Sequence, residues 1–230
     1  MKKNKSMLKG IMLLSVLLSF SVQAAIINLS GSLGAANQNG SDPSLVTDPG
    51  GVVPTNAFGS IDIQLNTIAN TLDFQLTVDG ILESELRNFG PNATPIHLHN
   101  AGGGGASPGN FGPISIDLSL GSTAADFTNT ANGFIFARNN VSILLADQGG
   151  VTLGMHPGDN LIIDTLLSGN MFVLVHSTKN IFTNTPAGRP AGFPFGEIRG
   201  NVSAVPVPAA LPLMLTGLLA VFGVARRRKI

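Results

Sequence analysis

Two of the four histidines in this chain, His97 and His99, stand one residue apart in the segment IHLHN, Ile96–Asn100. In an extended segment successive side chains alternate between faces, so a His-x-His pair sends both imidazoles to one side. Neutral imidazole is a good ligand for copper or zinc. His176 closes the apolar run Met171–Val175 and is a third candidate. Three such ligands plus a water would make an open metal site. The fourth histidine, His156, sits in GMHPGD, a turn sequence. A second use of the pair is structural. The glycine-rich AGGGGASPGN that follows Asn100 offers many backbone carbonyls to which imidazoles can donate. The residues alone leave both uses open.

Glu197 and Arg199 flank Ile198 and share a face by the same alternation. A lone carboxylate lacks the second acid or base that hydrolytic chemistry needs. The pair is expected to tie the last strand to the loop beside His176, where an arginine–carboxylate contact would be geometrically specific. AGGGGASPGN is no phosphate cradle, since no Lys-Ser/Thr follows it and no helix start is evident. With no cysteine in the chain, thiol chemistry and disulfides are excluded.

The elements that must hold these residues read as strands. AIINLSGSL is a first strand, followed by a polar loop rich in Gly, Pro, Asn and Asp. FGSIDIQLN puts Ile61, Ile63 and Leu65 on one face, and NTLDFQLTVDG does the same with Leu72, Phe74, Leu76 and Val78. Period-2 alternation on both sides of the short TIANT link predicts a hairpin, with Asp62, Gln64, Asp73, Gln75 and Thr77 on the wet face. TPIHLHN turns Ile96 and Leu98 to the core. FGPISIDLSL follows with Ile114, Ile116 and Leu118 in register. The region 121–167 has apolar runs without a clean period, and NLIIDTLLSGN suits a helical turn or two ending at Gly169. MFVLVHS is continuously apolar, as in a strand buried on both faces. GEIRGNVSAV closes the domain. Seven or more short strands between turn signals predict an all-β antiparallel β-sandwich.

Both ends of the chain carry a different signal. Residues 1–24 have a basic head (Lys2, Lys3, Lys5, Lys9), an apolar stretch Ile11–Phe20 and small residues before Ala25, the pattern of a secretory signal helix cleaved between Ala24 and Ala25. At the other end Ala209–Ala225 is free of charge for 17 residues and is followed by Arg226, Arg227, Arg228 and Lys229. That length just spans a hydrocarbon core as a transmembrane helix, and the basic end keeps the C-terminus cytoplasmic. Of the 13 basic residues, eight lie in these two ends, so residues 25–204 hold five against 13 acidic ones, a net charge near −8. Nucleic-acid binding, which needs clustered Lys and Arg, is excluded by that balance.

Two resemblances follow. Val205, Pro206, Val207, Pro208 and Ala209, with the apolar stretch and the Arg-rich end, resemble the VPLPA-type variant of PEP-CTERM sorting signals, with Val207 where Leu is commonest. That resemblance implies signal peptidase and an exosortase-type protease as processing partners, a transient hold on the inner membrane, and delivery to the cell surface or extracellular matrix. IHLHN with its glycine-rich follower, GPISIDL, LLSGNMFVLVHS and the motif Gly196-Glu197-Ile198-Arg199-Gly200 resemble, in this order, the CHRD domain, and INLSGS and LDFQLTVDGI fit its first half. The departures are Asn100 in place of Gly, Ser177 in place of Thr, and the longer link Ser177–Phe195. The resemblance implies an Ig-like or superoxide-dismutase-like sandwich. His97, His99 and His176 then look like part of the copper site of copper–zinc superoxide dismutases, although four histidines are too few for a two-metal enzyme.

Three segments are therefore expected: signal, residues 1–24; CHRD domain, 25–204; sorting motif, helix and basic tail, 205–230. The expected function is that of a non-enzymatic surface or matrix module, binding a surface polysaccharide or matrix protein. The alternative is a copper- or zinc-binding envelope protein, with a dismutase-like redox enzyme behind it.

Overall fold

The structure, a computed structural model, describes residues 26–37, 55–87, 94–101, 113–144, 162–178 and 196–206. Nine strands are formed in chain order: β1 Ile26–Gly34, β2 Phe58–Asn66, β3 Thr71–Asp79, β4 Ile96–Asn100, β5 Ile114–Asp117, β6 Phe127–Asn129, β7 Gly133–Ser142, β8 Met171–Val175 and β9 Ile198–Ala204. Among these residues one short α-helix, α1 Ile162–Leu167, precedes β8. It stops where Gly169 takes a φ of +73°, the left-handed position that ends a helix cheaply only in glycine.

Alternation decides the faces. In β2 and β3 every residue expected inside is buried: Ile61, Ile63, Leu65, Leu72, Phe74, Leu76 and Val78. The two strands pair in an unbroken antiparallel register from Phe58–Asp79 to Asn66–Thr71. Their turn is closed by the Asn66 side chain, whose Oδ1 accepts from the backbone N–H groups of Ile68 (3.1 Å) and Ala69 (2.9 Å).

All nine strands join one antiparallel sheet in the order β5-β4-β8-β9-β1-β2-β3-β7-β6. The sandwich expectation holds in its all-β, antiparallel character, but the ladder is continuous rather than split into two sheets. It curls until its ends meet. Arg138 of β7 donates from Nη1 to the carbonyl oxygens of Leu118 (3.0 Å) and Leu120 (2.7 Å), just beyond β5 at the other end of the strand order. Ile116 and Leu118 from one end share a single core with Phe134 and Phe136 from the other. Phe136 stacks on Phe127 (4.4 Å between centroids) and meets Phe74 edge-on (5.1 Å), as aromatic pairs prefer.

β8 is buried on both faces, as its apolar run predicts. Met171, Val173 and Val175 enter the main core, whereas Phe172 and Leu174 belong to a separate small cluster with Ala101. That second face carries the histidines. Among the described residues no helix is long and apolar enough to cross a membrane. The signal segment, His156 and the chain from Val207 onward lie outside the described residues.

Candidate metal centre

β4 lies between β5 and β8, with His97 opposite Leu174 and Asp117, and His99 opposite Phe172. Ile96 and Leu98 point into the main core, so His97 and His99 point the other way. On β8 the same face holds Phe172 and Leu174, and His176, two residues beyond Leu174, continues it. Two strand parities thus bring three histidines together from positions 79 residues apart at the extremes. One ligand nitrogen from each of His97, His99 and His176 can be chosen so that all lie within 4.8 Å of one another. Ring centroids are 5.2 Å apart for His97–His176 and 5.6 Å for His97–His99. All three side chains are buried.

Position on a closed strand pair explains why His176 arrives there. His176 N–H donates to the Pro95 carbonyl (2.9 Å), and its own carbonyl accepts from Arg87 N–H (3.1 Å). Ser177 then forms an isolated bridge with Leu86. The Ser177 hydroxyl donates to Glu197 Oε2, and Thr55 Oγ1 donates to Glu197 Oε1 (2.5 Å). The buried Glu197 carboxylate therefore ties the start of β9 to the residue after His176, the arrangement the sequence suggested for this position.

The rest of the GEIRG motif is explained by close packing. Gly196 has a φ of +75°, and a Cβ there would stand 2.4 Å from Leu174 Cγ. At Gly200 a Cβ would meet Leu33 Cγ and the Ser32 carbonyl oxygen at 2.8 Å, so glycine lets β1 close against β9. Arg199 is fully buried and lays its guanidinium 3.4 Å over the Phe172 ring. Phe172 in turn stacks on His99 at 5.2 Å with the planes 8° apart. The column Arg199–Phe172–His99 fixes the plane of one candidate ligand from behind.

Burial keeps His97 and His176 neutral. Burial pushes His97 down to about 4, with a Thr94 backbone contact pulling weakly the other way. His176 falls well below the usual histidine range, first through burial, then through the positive charges of His97, His99 and Arg87. A neutral imidazole keeps a lone pair for a metal at neutral pH. Asp117 Oδ2 is 4.0 Å from His97 Nε2. Its carboxylate is anchored by Thr94 N–H (3.2 Å), the Thr94 hydroxyl and Ser119 N–H (3.2 Å), while burial raises its pKa above the usual carboxylate range. A carboxylate that accepts a hydrogen bond from a ligand histidine fixes its tautomer and ring plane; at 4.0 Å Asp117 stands next to that position.

The fit to a metal can be tested on distances. Nitrogens bound to one zinc or copper ion at about 2.0–2.1 Å stand roughly 3.4 Å apart in tetrahedral geometry. The ligand atoms here are within 4.8 Å of one another, so small ring rotations complete the set. Nitrogen donors from three neutral imidazoles, with a carboxylate alongside, suit zinc or copper and not calcium or magnesium.

Asp117 and Phe172 were not singled out from the sequence. The signal for Asp117 was present in ISID: with Ile114 and Ile116 turned inward, Asp117 shares the parity of Ser115 and must face the histidines' side. Phe172 shares the parity of His176.

The CHRD domain profile matches residues 35–181. The chain belongs to the CHRD family. The match spans His97, His99 and His176 and more than half of the chain, while GEIRG lies beyond it, although β9 completes the same sheet. No curated protein and no solved structure matches the chain significantly, so the CHRD assignment rests on the family profile.

Proposed function

We propose that this chain is an exported, non-enzymatic CHRD module of the cell surface or extracellular matrix whose body holds one copper or zinc ion on His97, His99 and His176. The observation that carries the metal reading is the convergence of three buried imidazoles, with ligand atoms within 4.8 Å of one another. Hydrogen bonding alone could hold one histidine at a strand end, but it gives no reason to bury three titratable rings side by side at the cost of their solvation. A shared ion does, since it takes all three lone pairs and replaces the solvation they lost on burial. The buried position supports storage or structural reinforcement in preference to turnover.

Export is supported by the basic head and apolar stretch of residues 1–24, and delivery by the Val205–Ala209 motif with its apolar, Arg-ended tail. Signal peptidase and an exosortase-type protease are the processing partners of this reading, and a surface polysaccharide or matrix protein is the partner of the mature module. The curled antiparallel sheet supports the finer description as an Ig-like or superoxide-dismutase-like sandwich.

The test is metal content. Protein purified after export is expected to carry about one copper or zinc ion per chain, and His97→Ala or His99→Ala to carry much less. Metal-free wild-type protein, together with unchanged stability in both variants, would sink the metal reading and leave the exported binding module.

A further inference from the structure

One end of the sheet has an outermost rim without charged residues. Register gathers there the start of β1, the β2–β3 turn, the end of β7 and the end of β9. Ile26 lies opposite Asn66, Thr71 opposite Ser142 and Leu29 opposite Ala204. Ile143 N–H donates to the Asn70 carbonyl, and Val205 N–H to that of Asn28. The outermost segments 26–29, 65–72, 141–144 and 203–206 contain no Asp, Glu, Lys, Arg or His; the nearest carboxylates are Asp73, which accepts from Asn140 N–H (2.7 Å), and Asp62, opposite Ser30. Four large apolar side chains are nevertheless exposed on this end: Ile26 (53%), Ile68 (77%), Leu144 and Val205. Scattered exposed apolar residues are ordinary, but a group of four of them on an uncharged rim marks a contact surface. The opposite end also exposes Phe58 and Leu82, but among the charged residues Asp79, Glu83, Glu85 and Arg87.

The chain itself says what meets this end. It leaves β9 at Val205 and enters the charge-free stretch Ala209–Ala225 four residues later. Four residues reach at most about 14 Å, so a tail in the bilayer holds this end, and no other, against the lipid headgroups. The charge balance agrees. A body near −8 is repelled by an anionic bilayer, and turning this end to the surface keeps all its carboxylates but Asp62 and Asp73 farther from that field.

We propose that this apolar end is a membrane-docking surface, with Ile26, Ile68, Leu144 and Val205 resting in the phospholipid headgroup layer while the tail is attached. The proposal rests on the reading of Ala209–Ala225 as a membrane segment. It fixes the orientation of the module. His97 aligns through Leu174 with Arg199, six residues before Val205, so His97 stands about 20 Å farther from the bilayer at the strand rise of ~3.3 Å.

The absence of cysteine makes the test direct. Single cysteines are introduced at the hairpin tip (Ile68→Cys) or on the far end (Ser84→Cys, exposed), and each is labelled with an environment-sensitive fluorophore. The full chain is then reconstituted into phosphatidylethanolamine–phosphatidylglycerol vesicles carrying a headgroup-level lipid quencher. Flotation reports the tail, and quenching reports the docking surface. Floating protein with the Ile68→Cys label quenched several-fold more than the Ser84→Cys label is the expected result, and a further Leu144→Asp change should reduce that quenching. Floating protein with equal quenching at both positions overturns the docking surface and leaves the anchor standing. Protein that does not float overturns both. Disulfide-linked dimers of unlabelled Ile68→Cys protein in the vesicles, with the labelled protein unquenched, would overturn the docking surface and assign it to a second copy instead.

Discussion

Acidification should destabilise the metal-free domain, and His97 contributes a defined part of the slope. In the unfolded chain its imidazole takes a proton near 6.5, whereas in the fold burial holds it neutral down to about 4. Between those values the unfolded state binds the extra proton, so stability is full above pH 6.5 and is lost as pH falls toward 4. The gap from 6.5 to about 4, at about 1.36 kcal/mol per pH unit, gives roughly 3 kcal/mol. Set against a total of about 5–15 kcal/mol for a domain, that is a large fraction. His176 is lowered too and acts with the same sign. Asp117 acts with the opposite sign: its raised pKa favours the fold at acid pH, an advantage lost as pH rises through the folded value. Comparison of wild type with His97→Gln separates these effects. Urea unfolding of residues 25–204 with chelator, at intervals from pH 7.5 to 4.5, should show the wild type losing roughly 3 kcal/mol more than the variant, most of it below pH 6.5. Parallel curves for the two proteins would refute the reasoning, because they would mean that His97 titrates alike folded and unfolded.

Three further outcomes follow from the packing around the cluster. Gly196→Ala should lose about 2 kcal/mol or more in denaturant unfolding, through its positive φ and the contact with Leu174; combined with Leu174→Ala, the two losses should come to less than their sum. Ser177→Ala removes one donor from the buried Glu197 carboxylate and should cost about 1–3 kcal/mol, read as a lowered Tm. Arg199→Lys cannot lay a flat cation on Phe172 and should cost about 1–2 kcal/mol, a difference expected to shrink in a Phe172→Leu background.

Local pattern carries the hairpin and hides the pairing. β2 and β3 were legible because alternation, a short link and a wet face all agree. β7 was not, because its period breaks at the irregularity between Leu72 and Phe74 on its partner strand and at Asn140, where φ is +55°. α1 was visible from its apolar run and the glycine that ends it. The joining of β4 to β8 leaves no local trace, since residues about 75 apart meet only through the curl of the whole sheet. The same holds for the site. His97 and His99 announce themselves by spacing, but the column Arg199–Phe172–His99 needs three strands in one register. Continuity of the sheet was likewise hidden, because the Arg138 contacts that bring its ends together link a strand to a turn.

X-ray absorption at the zinc or copper edge of the loaded protein tests the central claim most directly. The account predicts three imidazole nitrogens at about 2.0–2.1 Å, reduced to two in His176→Ala. A shell of oxygens, or a spectrum identical in wild type and His176→Ala, would contradict it.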